Sequence, residues 1–227
     1  MHRISITTLL SLLLTLALAT SCNPFTQQAN TNVNGIQTGD LIFVVLPVGY
    51  GADSVDIAAG NQYDSTEALI AHVAIAERVG DSLYVIDATL AHGVDCHPID
   101  TLFATFTLGD GRQPRYDLYR LIDTTGVHQF IKNAKRYCGQ AYDVTFDLTT
   151  KEQYCSELVR NSYVLNGDTL FGTSPMDFCA SNGAVAPLWR HLFGLLNTPI
   201  PQGVTGILPS DILKDEHLEL VMPDWRH

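Results

Sequence analysis

The sequence predicts an α+β domain: a mostly antiparallel sheet with helices packed against it. Three observations lead there. Four short runs rich in β-branched and aromatic residues lie between residues 39 and 121, bounded by turn-forming residues. The second and third are joined by Val79-Gly80-Asp81-Ser82, a connection short enough for an antiparallel hairpin. Beyond residue 125 the apolar residues recur mainly at helical spacing, so strands and helices are segregated along the chain.

The elements follow in order. Gly39-Asp40 is a turn, and Leu41 to Leu46 is a largely buried strand. Tyr50 to Asp64, rich in Gly, Ala and Asp, is a loop. His72 to Ala76 and Ser82 to Ala88 are the paired strands, and Tyr116 to Leu121 alternates with period two as a fourth. The stretch between, "HGVDCHP" from His92 to Pro98, reads as a loop. Gly126 to Cys138 is a helix on Phe130, Ala134 and Tyr137, with Gly139 suited to its stop. Leu158, Val159, Ser162 and Tyr163 mark one face of a second helix. Its start falls at a capping box, Thr149 with Glu152 or Thr150 with Gln153, or nearer Tyr154. Pro187 to Asn197 is a third amphipathic helix, whose Trp189, Leu192, Phe193 and Leu196 stripe belongs to the core, and Leu218 to Met222 is a closing strand.

The ends bear on compartment. Arg3, an apolar stretch from Leu9 to Leu18 too short to span a bilayer, and Ala19-Thr20-Ser21-Cys22 form an export signal over residues 1–22. Residues 23–35, mostly Asn, Gln and Thr, read as a flexible tether, leaving 36–227 as one domain with room for a core. With 13 basic against 24 acidic residues, net charge is −11, which excludes the basic footprint of a nucleic-acid binder. Four cysteines follow Cys22 at irregular spacing, which does not read as a disulfide scaffold; free thiols are expected, although the sequence permits a Cys138–Cys179 pair.

Cys155 stands near a helix start, where the backbone dipole favours a thiolate. A thiol nucleophile also needs a base, and the base needs a group to orient it. His72 opens an otherwise apolar strand, and Asp87 lies inside the neighbouring one between Val85-Ile86 and Ala88. A carboxylate there needs a partner. A hairpin of the two strands brings Asp87 across from the His72 end.

The order Gly39-Asp40-Leu41-Ile42-Phe43, His72-Val73-Ala74-Ile75, Val85-Ile86-Asp87-Ala88, Tyr142-Asp143 and Tyr154-Cys155-Ser156-Glu157-Leu158-Val159 resembles the permuted NlpC/P60 papain-like cysteine hydrolases of the YiiX/YebB-like branch. The likeness covers most of Thr38 to Val164, and Pro209-Ser210-Asp211 is similar to the family's closing segment. It implies a circularly permuted papain-like fold, with Cys155 as nucleophile, His72 as base and Asp87 in the place of a polar third residue. Tyr142 matches an upstream tyrosine that lines the site, and Tyr154 is the alternative. The Cys155 N–H is a candidate oxyanion donor. Cys22 similarly matches a lipobox cysteine, which implies a lipid anchor at a bacterial envelope membrane.

The expected activity is amide cleavage through a thioacyl intermediate, acting on peptidoglycan-derived peptides or related envelope substrates. The alternatives are a lipid or thioester acyl hydrolase or acyltransferase of the same fold, and a non-catalytic binding lipoprotein. His92, Cys96 and His97 offer metal-ligand types within six positions, but no second cluster accompanies them, and no metal or cofactor is expected. Glu157, in the first helical turn, is read as a carboxylate that favours the helix dipole. Asn166 to Gly206 is expected to shape the cleft.

Overall fold

Six strands form one antiparallel sheet in the order β10-β5-β1-β2-β3-β4. They are β1 (Leu41–Pro47), β2 (Ala68–Val79), β3 (Ser82–Thr89), β4 (Gly93–Pro98), β5 (Arg115–Leu121) and β10 (Leu218–Met222). The helices are α1 (Ile99–Phe106), α2 (Val127–Lys135), α3 (Cys155–Ser162), α4 (Pro187–Leu196) and α5 (Pro209–Leu213). Two small ribbons, β6 (Val164–Leu165) with β7 (Asp168–Thr169) and β8 (Ser174–Pro175) with β9 (Thr205–Gly206), complete the element order. This computed structural model describes residues 33–52, 63–64 and 66–225. The expected signal, Cys22 and most of the tether fall outside them, as does most of the loop read between Tyr50 and Asp64. Among the described residues no helix is long and apolar enough to cross a membrane.

The apolar run of β1 is explained by burial on both faces. Phe43 and Val45 join Val73, Ile75 and Ile86 under α2 and α3, through Phe130, Ala134, Leu158 and Val159. Ile42 and Val44 join Ala74 and Val85 on the other side, under Leu102 and Phe103 of α1 and Trp225. The turn before β1 is fixed by an ion pair to a buried carboxylate: Arg120 Nε donates to Asp40 Oδ1 at 2.7 Å. Arg120 also donates to the Gly35 carbonyl at 2.9 Å, so the folded domain reaches back to the 3-10 turn Val33–Gly35, which the sequence reading placed in the tether.

β4 departs from expectation: within the "HGVDCHP" stretch, Gly93 to Pro98 form an edge strand, not a loop, which leads directly into α1. Its Gly, Asp and Pro depress local strand propensity, and pairing with β3 overrides them. Of the starts left open for α3, the structure shows the last: Tyr154 is the extended N-cap residue and Cys155 the first helical one. The segment 139–153 ahead of it is laced to its neighbours by short links. Val94 N–H donates to the Gln140 carbonyl at 2.9 Å, Gly139 N–H to Val94 at 2.8 Å, and Tyr142 bridges Gln153.

Gly93 makes this lacing possible. It has φ +68°, and a β-carbon there would lie 2.2 Å from the Gln140 carbonyl oxygen. Gly93→Ala is therefore expected to cost about 2–4 kcal/mol, through strain and the forced retreat of the 139–142 segment. Urea denaturation of the two proteins measures it, and equal midpoints would contradict the packing described.

Candidate active site

Cys155 sits at the first position of α3, where its N–H has no intrahelical acceptor and the helix dipole is most positive. The side chain is 5% exposed. Tyr154 holds the helix start: its hydroxyl accepts from the Ile207 N–H at 3.2 Å, and its ring stacks on Phe146 with centroids 4.5 Å apart. With no exposed surface, Tyr154 packs as a support of the helix start. Ser156 donates to the Ile207 carbonyl at 2.8 Å and ties the same turn to the segment before α5.

His72 comes from β2 at a bulge. It pairs with Val44 and the next ladder pair is Ile70 with Val45, so Ala71 is an extra residue. Bulges re-aim side chains at strand ends. In the β2–β3 ladder Ile75 pairs with Ile86, which places Asp87 one diagonal step from His72. The expected contact forms: His72 Nε2 and Asp87 Oδ2 are 2.8 Å apart, both buried. With Nε2 committed to Asp87, Nδ1 is left to face the sulfur, and Cys155, on the helix packed against β2, lies near enough to act on the imidazole's charge. Burial alone would lower the His72 pKa. The Cys155 sulfur and the Asp87 carboxylate outweigh it and raise the value to about 10, so the imidazolium form is favoured at neutral pH.

Asp87 has a second partner that the sequence reading missed. His97 Nε2 lies 3.0 Å from Asp87 Oδ1, and His97 Nδ1 lies 3.1 Å from the Pro98 carbonyl. Burial would raise the Asp87 pKa, but hydrogen bonds from His72 and His97 hold it well below the usual carboxylate range. His97 was hidden because β4 was not recognised as a strand. Once Val85 is paired with His97 and Asp87 with Asp95, the same diagonal step brings His97 to the carboxylate. Cys96 alternates away, its sulfur 3.9 Å from Glu77. Cys96, Cys138, Cys155 and Cys179 are all free, and the sequence-permitted Cys138–Cys179 bond is absent.

A cavity of about 360 Å³ opens beside His72. Leu46, Leu90, Phe106, Leu188, Trp189 and Leu192 give it an apolar lining, and Tyr142 enters its wall. Phe106 covers the His72 ring at a centroid distance of 4.6 Å. Tyr142 is pushed well above the usual phenol range by burial first and then by the charges at Cys155 and Asp143, so it remains a neutral hydroxyl donor. The α4 stripe divides: Trp189 and Phe193 are core, while Trp189 and Leu192 also reach the cavity.

Glu157 differs from its expected role. It is 1% exposed, its Oε2 accepts the Tyr154 N–H at 3.4 Å, and burial raises its pKa to about 8 despite that bond. It is mostly uncharged at neutral pH and contributes little to the helix dipole. A folded-state pKa above the unfolded value means that stability falls as pH rises from about 4.5 towards about 8. Glu157→Gln removes this loss. The melting temperature of the variant relative to the parent is expected to climb across that window and level off above it; a constant difference would show that Glu157 is ionised in the fold.

The comparisons with known proteins agree with this fold. The family described as permuted papain-like amidase enzyme, YaeF/YiiX, C92 family, matches residues 35–222. Among solved structures the chain is similar to the metalloprotein yiiX from Escherichia coli O157:H7, with 25% identity and a TM-score of 0.56, over 83% of this chain and 98% of that one. No curated protein matches. The NlpC/P60 likeness read from the sequence thus resolves to the YiiX branch: the chain belongs to the permuted papain-like amidase family, YaeF/YiiX, and is a cysteine amidase-type hydrolase by fold and family.

Proposed function

We propose that the protein hydrolyses an amide bond of a cell-envelope substrate through a thioacyl intermediate on Cys155. The observation that carries this is the buried His72–Asp87 pair, against whose strands the helix that begins at Cys155 is packed. The sulfur, as thiolate, attacks the carbonyl carbon, and the amide C–N bond breaks as His72 gives its Nδ1 proton to the leaving amine. Neutral His72 then takes a proton from water, whose oxygen attacks the thioester and frees the acid and the thiol. The Cys155 N–H, at a helix start, and the Tyr142 hydroxyl, on the cavity wall, would stabilise the oxyanion. Asp87 fixes the His72 ring and its tautomer.

A cell-wall peptide is one substrate class. The lining of the cavity favours a second reading for the acyl side: an aliphatic or aromatic acyl group lodged beside His72, since a multiply charged peptide would lose its hydration there without partners. The export signal and lipobox at Cys22 support placing the enzyme at a bacterial envelope membrane through a lipid anchor, with the acidic charge unsuited to nucleic acid.

Cys155→Ala is expected to lower kcat/KM by at least about 10⁴-fold and to abolish labelling by a thiol-directed electrophile at that position. Labelling that is unchanged by the substitution would sink the nucleophile assignment. Leu192→Asp tests the cavity. Turnover of long-chain N-acyl amides should fall roughly 10–100-fold, while short-chain amides are spared; a parent enzyme that cleaves wall peptides and ignores N-acyl amides would return the assignment to the first class.

A further inference from the structure

We propose that Asp87, His92 and His97 form a binding site for a divalent first-row transition cation, with Zn²⁺ the natural probe, on the side of the carboxylate away from His72. Their candidate ligand atoms lie within 4.8 Å of one another. Three features of the site go beyond proximity.

The first is the pair of acceptors around His97. Nδ1 faces the Pro98 carbonyl at 3.1 Å and Nε2 faces Asp87 Oδ1 at 3.0 Å. Both neighbours are acceptors, and a neutral ring can donate to only one of them. With its N–H at Nδ1, the ring turns an Nε2 lone pair towards Oδ1, where a cation can be held by both, and an Nδ1–H bond to a backbone carbonyl is the usual support of an Nε2 metal ligand.

The second feature is His92. Both of its ring nitrogens are buried and neither has a hydrogen-bond partner. Leaving such groups unsatisfied costs about 1–3 kcal/mol each. The ring stands edge-on to His97 with centroids 4.9 Å apart. Tetrahedral zinc with bonds of about 2.0–2.1 Å sets its ligand atoms roughly 3.3 Å apart. Binding therefore requires the His92 ring to move closer, and no hydrogen bond of that side chain is lost in doing so.

The third is division of labour within the carboxylate. Oδ2 is taken by His72 and Oδ1 faces the other two imidazoles. One carboxylate and two imidazoles are a donor set suited to Zn²⁺, with a fourth position left for water. The cation would share Asp87 with His72, so its occupancy would bear on how the imidazole is held without any contact to the sulfur. The sequence reading grouped His92 and His97 with Cys96, and strand alternation replaces that cysteine with Asp87.

The experiment uses the full chain carrying Cys155→Ala, which removes the thiol as a competing ligand and keeps the result separate from the catalytic assignment. After chelator treatment, Zn²⁺ titration by calorimetry should give one site per chain, and Co²⁺ should give absorption bands of a nitrogen and oxygen site without a thiolate band. His92→Gln, at a side chain that holds no fold contact by hydrogen bond, should weaken binding by at least the roughly 10–100-fold that even an outer-shell loss costs. His97→Gln should do the same. Absence of a stoichiometric site in the Cys155→Ala chain, or affinity unchanged in the folded His92→Gln chain, would overturn the proposal.

Discussion

A carboxylate sealed from water governs this molecule. Removing an ion such as Asp87 from solvent costs several kcal/mol even after the surroundings relax, and it is tolerated here because both oxygens are engaged by imidazoles. Each bond to a charged group returns about 1.5–3 kcal/mol, so neither histidine alone offsets the burial. The demand runs outward from there. Three neighbouring strands must hold register to within one residue, because a slip moves every side chain to the opposite face. The bulge in β2, the β3–β4 hairpin and Gly93 at its end all serve that register.

The sulfur reaches this centre from late in the chain. Its helix is held by Tyr154, Ser156 and the Ile207 segment on one side, and by the links of residues 139–143 to β4 and Gln153 on the other. These links explain how a circularly permuted order preserves the geometry: what matters is that a helix N-terminus and a strand end meet, not which comes first. They also put Tyr142 at the cavity wall beside Cys155, since one short bridge sets both positions.

Chemistry and selectivity rest on different materials. The reacting groups lie on a strand and a helix start, which are rigid elements suited to fixing distances. The cavity beside them draws on Leu90 and Ala91 at a hairpin tip, Leu108 after α1, and Leu188 and Leu192 of α4. Those segments differ in length and composition more freely than a sheet can, so one acyl-transfer apparatus can serve different acyl groups.

The sequence by itself determined the strands β1, β2, β3, β5 and β10, the helices α2, α3 and α4, and the pairing of His72 with Asp87. Period-two and helical patterns are local, and a carboxylate set among Val, Ile and Ala declares its need for a partner without any coordinates. Tertiary structure alone decided the rest. β4 exists because β3 offers it a hydrogen-bonding edge, against the preferences of its Gly, Asp and Pro, and with it came His97. Tyr154 became a core residue and Glu157 an uncharged one because burial depends on what packs above them, which no neighbouring residue in the chain records. The cavity likewise joins residues 46 to 192, and its apolar character follows from a convergence in space that local pattern does not encode.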